Sequence, residues 1–180
     1  MSLSIPNALI KISLAAGIAL ISIACAEIDS GSDEGEPTDT DQEATVLFVI
    51  DGDTVELEID GEKENVRLIG IDAPESRART RPVQCYGKES SDFLTELLPQ
   101  GTEVRIERDI EARDQYDRLL LYIYLDDLFI NEEIVAEGFA NAQSYKPNTT
   151  KQDILFKALD EAKKETKGLW ADCDGPDQPL

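Results

Sequence analysis

The pattern that most constrains this fold is an alternation of two. Val55, Leu57 and Ile59 alternate with Glu56, Glu58 and Asp60. An extended chain sends successive side chains to opposite faces, so this segment has one buried face and one wet face. Asp60-Gly61 follows, a dipeptide suited to a hairpin turn. Val66 to Ile71 returns as the partner strand and ends at Asp72-Ala73-Pro74, where proline removes a ladder donor. Val46 to Ile50 supplies a strand ahead of the pair, interrupted by Asp51-Gly52-Asp53. Val104 to Asp109, Leu119 to Leu125 and Leu128 to Ile130 read as further strands. Gly87 to Leu98 gathers Phe93, Leu94, Leu97 and Leu98 on one helical side, with Pro99 and Gly101 ending it. Asn131 is expected to cap a short helix through Val135 to Gly138. Asn141 to Thr150 reads as a loop. Ile154, Leu155, Ala158, Leu159 and Ala162 repeat at helical spacing, and Gly168 closes that helix. Few connections look like βαβ crossovers. A mainly β fold follows, a small antiparallel barrel with packed helices.

The first 44 residues read differently. Ile12 to Ala24 is an uninterrupted apolar and small-residue run of 13 positions after Lys11. A membrane span needs about 20, so the run fits the core of an export signal over residues 1–24. Ser22-Ile23-Ala24-Cys25 resembles a lipoprotein box with Cys25 as the lipidated residue, although leucine usually stands where Ser22 does. Ala24-Cys25-Ala26 also fits ordinary signal cleavage, which would release a freely secreted protein. Residues 26–43 hold eight acids and no base. Such a segment repels itself and has little to bury, so residues 25–44 are expected to form a disordered acidic spacer. Residues 45–173 form the domain, and 174–180 a tail. The expected location is extracytoplasmic, with a membrane-anchored lipoprotein favoured.

The chain carries 17 basic and 38 acidic residues, a net charge of -21. The domain alone is still strongly acidic, which opposes the approach of a polyanion unless salt screens it. Adaptation to concentrated salt is one reading of this composition. With no histidine, a histidine acid/base pair and a histidine-rich zinc site are excluded. Cys85 and Cys173 remain after either cleavage route. An oxidising compartment permits them to pair, and free thiols are the other reading. A bond between them would stabilise the fold by roughly 4–5 kcal/mol in the loop-entropy model.

Asp51, Asp53, Asp72 and Glu75 sit at strand ends in two turns that paired strands can bring together. Crowded carboxylates take up protons unless a cation joins them, and calcium is a hard, oxygen-seeking candidate. Ordinary turn chemistry is the competing reading. Arg67 shares a strand face with Ile69 and Ile71, and Arg118 opens a later strand. A guanidinium fork can hold two phosphate oxygens, so two of them beside a cation would clamp a phosphoryl group. Surface ion pairs with the many acids would also account for them.

These residues carry a family resemblance. Val49 to Leu57 resembles the opening signature of the staphylococcal nuclease (thermonuclease-like) family, and Val66 to Glu75 its second. Asp114-Gln115-Tyr116-Asp117-Arg118 with Tyr122-Ile123-Tyr124 resembles the third. Asn131-Glu132, Gly138-Phe139-Ala140, Tyr145-Lys146-Pro147-Asn148 and Gly168-Leu169-Trp170 follow in family order. The resemblance covers about residues 45–172. It implies an OB-type five-stranded barrel with three helices. It also implies calcium-dependent cleavage of DNA, and often RNA, leaving 3′-phosphate ends. By that resemblance Asp53, Asp72 and the Ala73 carbonyl hold calcium, with Asp51 nearby but not a direct ligand. Glu75 is the general base, Arg67 and Arg118 bind the phosphate, and Tyr145 lines the nucleotide pocket.

Arg77, Arg79 and Arg81 form a basic loop directly after Glu75, placed to gather substrate phosphates or to balance nearby acids. Tyr86, Tyr122 and Tyr124 read as packing residues. Asn148-Thr149-Thr150 matches a glycosylation acceptor. Three positions depart from the family pattern. Asp117 stands where glycine is usual, and its charge is expected to compete with phosphate for Arg118. Gln143 replaces a pocket tyrosine, and Leu121 replaces a small residue. A non-catalytic barrel that binds nucleic acid or another partner is the rival reading. Nothing in the sequence advertises an assembly face, so a monomer is expected.

Overall fold

The structure, a computed structural model, describes residues 42–77, 82–176 and 178. The expected export signal, Cys25, Arg79 and Arg81 lie outside these residues. In chain order the elements are β1 (Gln42–Asp51), β2 (Thr54–Ile59), β3 (Glu62–Leu68), β4 (Ile71–Asp72) and α1 (Gly87–Leu97). They continue with β5 (Glu103–Glu107), β6 (Leu119–Leu125), β7 (Leu128–Phe129), α2 (Ile130–Ala136), β8 (Asn141–Ala142), α3 (Gln152–Lys164) and α4 (Leu169–Asp172). Among the described residues no helix is long and apolar enough to cross a membrane.

The main sheet runs β3-β2-β1-β5-β6-β7, and β3 also pairs with β6, which closes five strands into a barrel. The OB-type barrel read from the sequence is therefore present. The hairpin lies where the alternation put it, with Ile59 opposite Glu62 across Asp60-Gly61. The closing β3–β6 pair is parallel, with Val66 opposite Leu119 and Leu68 opposite Leu121. A parallel pair needs a long crossover, and α1 with β5 supplies it. Val55, Leu57, Val66, Leu68, Ile106 and Ile123 point inward, and Leu94, Ile134 and Leu155 pack against them from α1, α2 and α3.

Several elements differ from expectation. β1 begins at Gln42, so the end of the expected spacer, Gln42 to Ala44, is paired with β5. The strand expected over Val66 to Ile71 divides at Gly70, whose φ of +80° turns the chain. The second piece, β4, pairs with β8, so the expected loop from Asn141 opens as a short strand. Asn131 does not cap α2. It lies inside the helix, fully buried, where its Oδ1 accepts the Ile123 N–H at 3.0 Å and its Nδ2 donates to the Ile69 carbonyl at 2.9 Å. Backbone groups left over where β3 stops are satisfied by that amide, which outweighs a cap exposed to water. Asn148 is also buried and bonded through both side-chain atoms to the Glu111 backbone, so it is not presented as a glycosylation acceptor. Cys85 and Cys173 form a disulfide, with Cα atoms 5.9 Å apart.

Candidate active site

The β1–β2 turn touches the segment after β4. A Cβ at Gly52 would lie 2.8 Å from the Ala73 Cβ and 2.8 Å from the Ser90 Cβ, so only glycine allows this approach. The contact puts Asp53, only 8% exposed, against the Ala73 backbone. Asp53 Oδ2 accepts the Ala73 N–H at 2.9 Å, and Oδ1 accepts the Thr54 hydroxyl at 2.8 Å. Arg67 lies opposite Thr54 in the β2–β3 ladder, on the face away from buried Val66 and Leu68. Its Nη2 reaches Asp53 Oδ2 at 2.9 Å and Asp72 Oδ1 at 3.1 Å. Its Nη1 donates to the Leu68 carbonyl at 3.1 Å. One guanidinium thus joins the two turns.

Asp51 Oδ1 accepts the Gly52 N–H at 2.9 Å and the Ser76 N–H at 3.3 Å. Burial raises the pKa of Glu75. A hydrogen bond with Asp51 and the charges of Asp51 and Asp53 raise it further, against a backbone bond at Arg77 that lowers it. Carboxylates this close mark a place where negative charge is in excess.

Arg118 is held by Asp114. Its Nε and Nη2 both reach Asp114 Oδ2 at 2.7 Å. Asp114 Oδ1 accepts the backbone N–H groups of Tyr116 at 2.9 Å and Arg118 at 3.0 Å. Burial alone would raise the Asp114 pKa, but the bonds from Arg118 outweigh it and hold it below the ordinary value. Asp117 has the positive φ expected of a glycine position, 65°. Its carboxylate points elsewhere: it is 90% exposed and lies 3.7 Å from Arg113 Nε. Arg113 also donates to the Asp117 carbonyl at 2.7 Å and grips both oxygens of Glu64, at 3.0 and 2.6 Å. The carboxylate that competes for Arg118 is therefore Asp114, not Asp117.

One cleft of about 910 Å³ lies between the two turns and the segment that carries Arg118. Its walls include Asp51, Asp53, Asp72, Ala73 and Glu75 together with Arg67, Arg77, Arg118 and Tyr145. Every described residue expected in the site is thus brought together. Phe48, Asn65, Asp114 and Tyr116 also line it. Of these, Asp114 had a signal that the sequence reading did not use, an acid four positions before Arg118 in the same motif, whereas Phe48 and Asn65 had none. Gln143 is exposed and donates its N–H to the Gly70 carbonyl. The three tyrosines read as packing residues do pack. Tyr122 is buried with its hydroxyl on Asp109, Tyr124 stacks on Phe129 at 4.9 Å, and Tyr86 lies 5.4 Å from Phe139.

Among the described residues no group of three or more acidic, cysteine or histidine side chains stands at metal-holding spacing. The donor chemistry nevertheless fits a hard cation. Asp53 and Asp72 each place an oxygen on one cationic nitrogen, and Asp51 and Glu75 have negative charge left to balance.

A closed five-stranded barrel, helices on its flank, and a cleft of paired arginines and carboxylates define an OB-type domain with a site for a charged ligand. The family model for staphylococcal nuclease homologues matches residues 65–172. The chain is 40% identical over 131 residues to a thermonuclease of Staphylococcus hyicus, covering 73% of this chain and 77% of the other. It is 42% identical over 125 residues to a thermonuclease of Staphylococcus intermedius, covering 69% and 74%. Endonuclease YncB of Bacillus subtilis (strain 168) is 36% identical over 129 residues, covering 71% and 61%. The chain belongs to the staphylococcal nuclease family, and nuclease-type phosphodiester cleavage is the activity of that family.

Proposed function

We propose that the protein is a calcium-dependent endonuclease that hydrolyses phosphodiester bonds of DNA and RNA and leaves 3′-phosphate ends. The observation that carries this reading is the meeting of Arg67, Arg118, Asp53, Asp72 and Glu75 in one cleft. The carboxylates of Asp53 and Asp72 and the Ala73 carbonyl would hold calcium. When bound, the ion supplies Lewis-acid polarisation of a phosphoryl oxygen. Glu75 accepts the proton of the attacking water. Its raised pKa suits a base that must also release the proton. Arg67 and Arg118 meet the charge that grows on the phosphoryl oxygens, and Asp72 and Asp114 hold the two forks until substrate arrives. Asp51 holds the Glu75 pKa up without being a direct ligand. Tyr145 lines the nucleotide side, and Arg77, Arg79 and Arg81 draw in flanking phosphates.

The same reading assigns residues 1–24 to export and 25–41 to a spacer with Cys25 as lipid anchor. Residues 42–173 are the monomeric nuclease domain, beginning with β1, and 174–180 its tail. The Cys85–Cys173 bond supports an oxidising compartment and leaves Cys25 for the tether. A wild-type protein found in the medium, with no membrane-associated fraction for Cys25→Ser to release, would establish the freely secreted form instead.

The purified protein is expected to degrade single-stranded DNA with calcium and to stop with chelator. Glu75→Gln is expected to lose roughly 10²- to 10⁴-fold in kcat. A folded wild-type protein that cleaves nothing across calcium and salt series would establish the binding barrel instead. The observation favouring that rival is that carboxylates already engage both arginines.

A further inference from the structure

We infer that Gln84 is a positioning residue for Glu75, and that the Cys85–Cys173 bond keeps it in place. This rests on the reading of Glu75 as the base. Glu75 lies outside every strand and helix, directly after Pro74, so no ladder fixes it. Instead both of its main-chain polar groups end on Gln84. The Gln84 Oε1 accepts the Glu75 N–H at 2.7 Å, and the Gln84 N–H donates to the Glu75 carbonyl at 2.9 Å. The next contact along the chain, the Ser76 N–H on Asp51, is longer, at 3.3 Å.

Gln84 is itself anchored from behind. Its carbonyl accepts the Gly87 N–H at 3.1 Å at the start of α1. Its neighbour Cys85 donates its N–H to the Gln178 carbonyl at 2.8 Å and is bonded to Cys173. The Cys173 N–H donates to Leu169 at 3.1 Å, and Leu169, fully buried, donates to Gly138 at 2.8 Å. A continuous path of covalent and hydrogen bonds therefore runs from the general base to the C-terminal helix and the end of α2. The cross-link is its one covalent tie across the chain. Reduction by a dithiol proceeds through two exchange steps. The first forms a mixed disulfide with one cysteine and releases the other as a thiol, and the second releases the remaining protein thiol with the oxidised, cyclic dithiol. The released Cys85 no longer fixes Gln84, and Glu75 loses its placement. Activity is then conditional on the cross-link, and so on the oxidising compartment that forms it.

The test uses the full chain at saturating calcium on single-stranded DNA, with folding checked by circular dichroism and urea titration. Gln84→Met deletes the acceptor and keeps the length. It is expected to lower kcat by roughly 10- to 100-fold, the cost of a misplaced catalytic group, with KM little changed. Gln84→Glu retains an acceptor oxygen and is expected to restore most of kcat at alkaline pH. The pair Cys85→Ser/Cys173→Ser is expected to match Gln84→Met. In a Glu75→Gln background neither change should cost more, because both act through Glu75. Wild-type kcat in Gln84→Met, or equal losses with and without Glu75, overturns the inference. If the cysteine pair fails to fold, Gln84→Met decides the positioning role, and kcat of the folded wild type before and after treatment with the dithiol decides the role of the cross-link, an unchanged kcat overturning it. A wild-type protein with no cleavage sinks the reading of Glu75 and this inference together. Loss in Glu75→Gln with a normal Gln84→Met sinks this inference alone.

Discussion

At the scale of single residues, charge partners matter more than charge counts. Asp117 sits beside Arg118 in sequence yet faces Arg113, because a left-handed residue turns its side chain away from the strand that follows. Asp117→Gly is therefore expected to leave kcat and KM as in the wild type. A clear rise in kcat would restore the competition that the sequence suggested. Asp109 gives a pH signature. Burial would raise its pKa. Bonds from the Thr150 N–H, the Tyr122 and Thr150 hydroxyls and the Ile110 N–H more than reverse this, so it lies below the ordinary value. A carboxylate depressed in the folded state stabilises above its unfolded pKa and loses that contribution as pH falls through the folded one. Asp109→Asn is expected to lower the urea midpoint at neutral pH and to approach wild type in acid. A gap that stays constant with pH would rule out this linkage.

At the scale of elements, Asn131 is a buried polar tie between the barrel and α2. It ties the end of β3, the middle of β6 and the interior of α2 at once. Asn131→Ala strands two buried backbone groups and is expected to cost about 2–6 kcal/mol in urea titration, since each lost partner costs roughly 1–3 kcal/mol. A loss of only a few tenths, the size of a weak cap, would restore the capping role. The turn that presents Arg118 is fastened in a similar way, by Arg113 reaching across to Glu64 on β3.

At the scale of the whole molecule, the net charge of -21 sets the encounter with substrate. Most proteins that bind nucleic acid lose affinity as salt rises, because they release counterions from phosphates. Here long-range repulsion acts first, and salt screens it. The value of kcat/KM for single-stranded DNA is expected to rise with salt from low ionic strength before it falls. A steep fall from the lowest salt onward would mean that the local arginines dominate and the acidic surface does not.

Periodicity and turn residues located the longer strands, the hairpin at Asp60-Gly61 and helices α1 to α3, since each depends on neighbours a few residues apart; the short elements β8 and α4 were not legible that way. The ordered motifs determined the family and named the residues that would share a cleft. The parallel closure of β3 on β6, the break at Gly70 and the burial of Asn131 depended on chain segments distant in sequence. So did the partners of the charged groups: Asp114 rather than Asp117 on Arg118, Arg67 between Asp53 and Asp72, and Gln84 behind Glu75. Local pattern fixes which way a residue faces. Only packing decides which groups are excluded from water together and must satisfy one another.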